Sequence, residues 1–319
     1  MIILTGGAGF IGTNILIELN KRGEENILVV DNIEGTLKVK NLKGLKYREY
    51  VNKKYFWDWL LKNKSIKIDS IIHLGACSDT TQTNLNYLRQ NNVVYSQKLW
   101  DLSVENDIPF IYASSAATYG NGSNGFSDEH SLIPKLQPLN PYGHSKQDFD
   151  LWILKQKKTP PLWVGLKYFN VYGPGEAHKG KMASVIWHFL LQLNRGENLK
   201  LFDASHGYAA GEQERDFIYV NDAVKMTLYM LNEISESGIY NIGTGRARTF
   251  NDLANTIKIK NRNIRVEYIP FPYRLMDAYQ AHTCANLDKL FSLGYSEPIL
   301  TIEKGVKQYL ESCDLFRAY

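Results

Sequence analysis

Cysteine is scarce in this sequence: Cys77, Cys284 and Cys313 are the three in 319 residues. Their odd number and wide spacing fit neither a disulfide framework nor a set of metal ligands, so reduced thiols, no bound metal and a cytoplasmic setting are expected. Long apolar runs are also missing. None approaches the roughly 18 residues that would cross a bilayer, which predicts no membrane segment. Charge of one sign is missing as well. The formal net charge is +4, and the densest basic stretch, "KNKSIK", reads as a solvated helix end, so no nucleic-acid partner is expected. There is no internal repeat and no low-complexity tract. "MIILTGG" passes from the first Met directly into what reads as a strand, so no secretory leader is expected.

What remains is a globular composition, 44% hydrophobic and 22% charged. At about 150 residues per domain, the length predicts roughly two domains, or one large domain with a lobe. The opening stretch, "MIILTGGAGFIGTNILIELNKRG", combines a short β-favouring run, a glycine cluster, and apolar residues at helical spacing from Phe10 and Ile11 to Leu19. Gly7, Gly9 and Gly12 satisfy G-x-G-x-x-G, and Gly6, Gly9 and Gly12 satisfy G-x-x-G-x-x-G. Glycines so placed allow a tight turn, close backbone approach to a pyrophosphate, and tight helix-on-strand packing. The N–H groups at the start of the helix then face the phosphates. "ILVVD" ends on Asp31, nineteen residues past Gly12, where a carboxylate can accept from the ribose hydroxyls. Asp31 alone favours NAD. Lys38 and Lys53, which follow with Asn32, could neutralise a 2′-phosphate, so NADP is the expectation and NAD the alternative.

Further along, "DSIIHLGA" (69–76) reads as a buried strand, Gln82 to Asn106 as a long helix, and "IPFIYASS" (108–115) as a strand. Pro141 to Lys157 reads as a helix, and "PLWVGLKYFNVYG" as a strand running into a loop. Beyond about residue 170 the alternation becomes irregular. The expected fold is α/β, a Rossmann-like doubly wound parallel sheet with a smaller C-terminal α/β substrate-binding lobe. Residues 1–169 and 216–243 are assigned to the dinucleotide-binding domain, and 170–215 and 244–319 to the lobe.

"NPYGHSK" (140–146) places Tyr142 and Lys146 four residues apart, on one face if the segment is helical. Alone, the pair suits an ordinary helix surface better than it suits catalysis. The strand "FIYASS", however, delivers Ser114 and Ser115 to the ligand-facing edge of the sheet. Taking a hydride from a secondary alcohol requires its hydroxyl proton to leave as well. A phenol near pKa 10 is a poor base at neutral pH. A neighbouring ammonium and a positively charged nicotinamide would pull the phenol toward working range, while serine holds the substrate oxygen.

The glycine pattern, the serine after the fourth strand and Tyr-x-x-x-Lys together resemble the extended short-chain dehydrogenase/reductases, over essentially the whole chain. Dehydratases of that superfamily carry an Asp-Glu pair after the serine region; here the place reads "SSAATYG", which argues against elimination of water. "YFNVYGP" is shared widely in the superfamily, whereas "HKGKMAS", "SSAATYG", "RDFIYV", "NIGTGRARTF" and "YIPFPYRL…YQAHT" together are similar to the narrower ADP-glyceromanno-heptose 6-epimerase family. That resemblance implies inversion of C6″ of ADP-D-glycero-D-manno-heptose through a transient ketone, supplying heptose to the lipopolysaccharide inner core. It also implies one tightly bound NADP per subunit, a small-molecule ADP-heptose substrate, and a homo-oligomer, either a pentamer or a larger ring.

The same resemblance implies that Tyr142 and Lys179 act as two acid/bases, because the ketone must turn and its oxygen then lies in a different place. Lys146 would tune the tyrosine and Ser115 would hold the oxygen. Cofactor contacts are carried to Gly6, Gly9, Phe10, Ile11, Gly12, Asp31, Asn32, Lys38, Lys53, to the strand-end segment Leu74, Gly75, Ala76, Cys77 and Ser78, and to Asn91, Lys146, Val171 and Lys179. Substrate contacts are carried to Ser115, Asn170, Lys181, His188, Arg215 and Tyr279, and to Phe202, Asp203, Ala204 and Ser205. Arg215 has the clearest physical role, since a guanidinium bridges a pyrophosphate bidentately. One stretch departs from the family pattern: "ASHGYAAGEQER", between Phe202 and Asp216, is several residues longer. Two alternatives stand beside this reading. One is a UDP-hexose 4-epimerase, which needs only the tyrosine; the other is a non-catalytic NADP-sensing protein, which would have no use for the Tyr/Lys pair.

Overall fold

The computed structural model describes residues 1–258 and 264–312; Cys313 lies outside the described residues. The chain opens with β1 (Ile2–Thr5), the glycine turn and α1 (Phe10–Lys21), then β2 (Ile27–Asp31), a 3₁₀ turn at Leu37–Leu42, β3 (Glu49–Asn52), α2 (Phe56–Lys62) and β4 (Ser70–His73). Next come α3 (Leu85–Leu88), which runs through a π-helical stretch at Arg89–Val94 into α4 (Tyr95–Glu105), and then β5 (Phe110–Ser115), α5 (Pro141–Ile153), β6 (Trp163–Tyr168) and β7 (Asn170–Tyr172). The remainder is α6 (Val185–Asn194), β8 (Leu199–Phe202), β9 (Glu214–Tyr219), α7 (Val220–Asn232), β10 (Gly238–Ile242), β11 (Ala247–Thr249), α8 (Phe250–Lys258), β12 (Val266–Ile269), α9 (Asp288–Ser292) and α10 (Ile302–Ser312).

Seven strands form one parallel sheet in the order β10-β6-β5-β4-β1-β2-β3. Its strand order reverses between β1 and β4, and a crevice opens at such a switch point beyond the carboxyl ends of the strands. Both faces are covered, and the strand pleat explains how. Leu4, Val29 and Ile72 pack on one side with Ile15 and Leu16 of α1 and Val224 and Leu228 of α7. Their neighbours Ile3, Leu28 and Ile71 pack on the other side with Leu99, Trp100 and Phe149. This is the doubly wound α/β fold expected from the sequence. The lobe has a core of its own, with Ile186, Phe189 and Leu190 of α6 against Leu199, Leu253 and Val306. Strand β9 serves both bodies. It pairs with β7 and β11, turning Phe217 and Tyr219 into the lobe core and Ile218 toward the core under the main sheet.

Element ends differ from the sequence reading where side chains intervene. The helix expected from Gln82 starts at Leu85, because the Asn84 side chain caps it by accepting from Tyr87 N at 2.9 Å. The helix expected to reach Lys157 stops at Ile153, where Lys155 and Gln156 donate in tightened turns to Trp152 and Ile153. The stretch 161–173, read as a strand running into a loop, holds two strands: β6 ends at Tyr168, and β7 leaves the main sheet and pairs with β9.

The glycine turn has no spare room. A Cβ on Gly12 would stand 2.2 Å from the Gly6 carbonyl oxygen and 2.8 Å from Gly7 Cα, and both obstacles are backbone. Gly12→Ala is therefore expected to destabilise the protein by about 1–3 kcal/mol, since an overpacked site must shift its surroundings. Thermal unfolding with and without added dinucleotide checks this. A Tm equal to the parent's would mean the turn yields more easily than the contact suggests.

Candidate functional site

At the switch point lies a cleft of about 470 Å³, bounded by the glycine turn, the ends of β2, β4 and β5, the start of α5, and the 178–179 loop. Every residue to which a cofactor contact was carried lines it: Gly6, Gly9, Phe10, Ile11, Gly12, Asp31, Asn32, Lys38, Lys53, Leu74, Gly75, Ala76, Cys77, Ser78, Asn91, Lys146, Val171 and Lys179. Ser115 and Tyr142 line the same cleft. The cradle suits a dinucleotide. Gly6 adopts φ +69°, and a Cβ there would meet the backbone of Gly75 at 2.7 Å, so the turn keeps an open backbone face at the start of α1.

Asp31 is buried and heavily engaged. One carboxylate oxygen accepts from Ala8 N at 3.0 Å; the other accepts from Asn32 N at 2.7 Å and from the Lys38 ammonium at 2.9 Å. Lys53 donates to Asn91 Oδ1 at 2.6 Å, and burial lowers its pKa, with Asp31 pulling the other way. Two cations therefore stand beside one carboxylate at this end of the cleft.

At the other end, α5 starts on Pro141, with Asn140 Oδ1 accepting from Gly143 N at 2.8 Å, and its first turn presents Tyr142. The Lys146 ammonium donates to the Ala113 carbonyl at 2.9 Å. Burial brings its pKa down to about 8, against the attraction of Asp150 and Cys77. The Tyr142 phenol is pushed above its ordinary value by burial, and a hydrogen bond with Ser115 pulls it back. The expectation is that this ammonium and a positively charged nicotinamide together draw the phenol down. In the protein alone the ammonium is turned to the strand carbonyl, and desolvation of the phenol is the larger effect.

Beneath Ser115 lies a buried ion pair, Lys167 to Asp150 at 2.6 Å, with neither side chain exposed. Asp150 also accepts from Tyr112 and Ser114 at 2.9 and 2.7 Å. Lys167 donates to Thr118 Oγ1 at 2.7 Å, and Thr118 in turn donates to the Ser115 carbonyl at 2.8 Å. A buried pair needs further hydrogen bonds to offset its desolvation, and here both partners have them. The network braces the strand end that carries Ser115. Nothing in the local sequence signals it, because its members come from β5, α5, β6 and the turn after β5.

Lys179 enters the cleft from a loop, with its ammonium 5.4 Å from the centre of the Phe10 ring. Burial lowers its pKa and Glu176 raises it. Tyr142 and Lys179 therefore reach one cleft from different elements.

The residues carried over as substrate contacts, Ser115 apart, lie outside this cleft and do not form one group. Arg215 is buried, and its guanidinium sits 4.7 Å over the Tyr279 ring and donates to the Glu214 carbonyl at 2.8 Å. Phe202 meets the same ring edge-on at 6.3 Å. Among the described residues no carboxylate pairs with Arg215, and burial lowers its pKa. Ser205 Oγ accepts from Gln213 Nε2 at 2.9 Å, while Asp203 and Ala204 are exposed. Asn170 accepts from Thr283 Oγ1 at 3.2 Å. Lys181 is exposed and His188 is half-buried on α6. The long loop after Phe202 is folded, not open. Gly211 N donates to the Phe202 carbonyl at 3.0 Å, and His206 Nε2 donates to the Met276 carbonyl at 2.7 Å, with its ring 5.2 Å from Phe271 and 5.5 Å from Tyr279.

Sequence reasoning missed several residues of the site. Thr5, Tyr87, Tyr95 and His178 also line the cleft, and Asn14 and Asn41 bind its loops together. For His178, the neighbouring Lys179 was the available signal. The two asparagines gave none. Among the described residues there is no group of three or more metal-ligating side chains, and no helix is long and apolar enough to cross a membrane.

Comparison with known proteins brings in function. A family model described as the NAD dependent epimerase/dehydratase family matches residues 2–243. The ADP-L-glycero-D-manno-heptose-6-epimerase of Fusobacterium nucleatum is 43% identical over 323 residues, spanning 98% of this chain and 97% of that protein. The crystal structure of the Helicobacter pylori ADP-L-glycero-D-manno-heptose-6-epimerase superposes with a TM-score of 0.83 at 30% identity, over 97% of this chain and 95% of that one. A UDP-glucose 4-epimerase from Thermotoga maritima, with UDP-glucose, reaches 0.81 at 26% identity, over 97% of each chain. The two TM-scores are nearly equal, so the fold does not by itself choose the reaction.

Proposed function

The chain belongs to the NAD dependent epimerase/dehydratase family, and from that membership and the cleft we propose that it inverts C6″ of ADP-D-glycero-D-manno-heptose, giving ADP-L-glycero-D-manno-heptose for the lipopolysaccharide inner core. It is an epimerase. The observation that carries the reading is that Tyr142 and Lys179, two side chains able to carry a proton, both line one dinucleotide-sized cleft. A nicotinamide dinucleotide held by the glycine turn, Asp31 and Lys38 would supply the hydride acceptor and donor. Tyr142 accepts the hydroxyl proton of one epimer while Ser115 holds the oxygen. When the ketone turns, its oxygen leaves the phenol's reach, and Lys179 serves the other epimer.

Arg215 supports the nucleotide end of this reading. A buried guanidinium with no carboxylate partner among the described residues suits an anion such as a pyrophosphate. Tyr279 lies under it and shares a side-chain hydrogen bond with it, Phe202 meets the Tyr279 ring edge-on, and Asn170, Lys181, His188, Asp203, Ala204 and Ser205 complete the proposed substrate set. The test is to mix the protein with ADP-D-glycero-D-manno-heptose, add no cofactor, and follow C6″ by NMR. Inversion is expected. An unchanged sugar in a protein that carries its dinucleotide would overturn the assignment.

The cofactor we propose is NADP, tightly held, one per subunit. Lys38 already offsets the charge of Asp31, and Lys53 adds a second cation. Lys38→Ala is expected to weaken NADP about tenfold, roughly 1.4 kcal/mol, and to change NAD affinity by less than about twofold. Calorimetric titration of cofactor-stripped protein measures both. Equal loss for the two dinucleotides would show that Lys38 does not read the 2′-phosphate. Residues 1–169 and 216–243 are proposed as the cofactor domain and the rest as the substrate lobe, in a cytoplasmic homo-oligomer.

A further inference from the structure

The loop that carries Lys179 is closed on itself. Glu176 is fully buried and accepts from Gly173 N at 3.2 Å and from both the backbone N–H and the hydroxyl of Ser184, which ties residues 173–184 into a ring. Two side-chain amides fasten that ring to the glycine turn. Asn14, on α1, donates to the carbonyls of Phe10 and Pro174 at 2.9 Å each. Asn41 donates to the carbonyls of Ala8 at 3.0 Å and Gly175 at 3.3 Å. Its amide is also 3.1 Å from His178 Nδ1, which lies 3.0 Å from the Gly175 carbonyl; Nδ1 either gives to that carbonyl or takes from Asn41.

The two amides differ in what supports them. Asn14 sits on a regular twelve-residue helix. Asn41 sits on the 3₁₀ turn Leu37–Leu42, a form with poor internal hydrogen bonds. Leu37 and Val39 are 58% and 55% exposed, so packing of that turn comes down to Leu42. Its other anchors are Asn41 and, through the ion pair with Asp31, Lys38. One weakly packed turn thus touches the adenosine-ribose end of the cleft through Lys38 and the Lys179 loop through Asn41.

We propose that Asn41 is a positioning residue that couples occupation of the adenosine-ribose end of the cleft to the placement of Lys179. A phosphate on Lys38 orders the turn, and the Asn41 amide passes that order to the Gly175 carbonyl, four residues before the lysine. The proposal rests on the reading of Lys179 as the second proton handler.

Hydrogen exchange of the amides at 175–179, followed by mass spectrometry with and without NADP on cofactor-stripped protein, tests the coupling with no sugar present. In the parent, NADP is expected to slow exchange there several-fold. In Asn41→Ala that protection is lost although NADP still binds. At saturating ADP-heptose kcat falls roughly tenfold while KM stays within about twofold, because a displaced acid/base costs rate more than binding. Asn41→Asp keeps the shape but has no N–H to give, and it should behave like Asn41→Ala. Parent-like protection in either variant, or a loss confined to NADP affinity with kcat intact, overturns the proposal. Should both variants fail to fold, Lys38→Ala decides: NADP protection of 175–179 should vanish there as well, and its persistence overturns the coupling. The exchange readout is independent of the sugar. Failure of the heptose assignment by NMR and failure of the clasp are therefore separate results.

Discussion

Replacing Lys179 by methionine is expected to lower interconversion of the two C6″ epimers about 10³-fold, within the range a positioned acid/base supplies. Methionine keeps an apolar stem over the Phe10 ring and removes only the ammonium. The loop should survive, because Glu176 still accepts from Gly173 and Ser184 when its cation is gone. The variant should still oxidise the epimer whose hydroxyl faces Tyr142, and then return it unchanged. Two measurements separate these steps: NMR of C6″ for inversion, and the absorbance of the reduced cofactor for the first half-reaction. A variant that inverts at the parental rate would return the site to chemistry with one acid/base, as in a UDP-hexose 4-epimerase whose 4-keto sugar rotates freely.

Tyr142→Phe is expected to cost about 10³- to 10⁴-fold in the first half-reaction, with substrate binding little changed, since only the hydroxyl is removed. Burial holds this phenol above its ordinary value, so by its own desolvated setting it is no base at neutral pH. Positive charge must make it one, and the Lys146 ammonium is the protein's source. Its pKa is about 8. The charge is present below that pH and lost as pH rises through it, so the parental rate should fall on the alkaline side near pH 8. Lys146→Met should be slow throughout and should lack that limb. A Tyr142→Phe protein as active as the parent would revive the non-catalytic, cofactor-sensing alternative and remove the phenol from the mechanism.

The sequence alone determined the doubly wound sheet, the glycine turn, the Ser115 strand end and the Tyr142/Lys146 helix face. Strand alternation, helical spacing and glycine sterics act over a few residues and can be read directly. The tertiary structure decided what those groups do to one another. It turned Lys146 to the Ala113 carbonyl, set Lys38 against Asp31, stacked Arg215 on Tyr279, and buried Lys167 with Asp150 under the serine. It also joined Asn41 to Gly175, 134 residues apart. Such contacts depend on which chain ends the sheet order brings together and on how much water each group loses there, and neither quantity has a local signature.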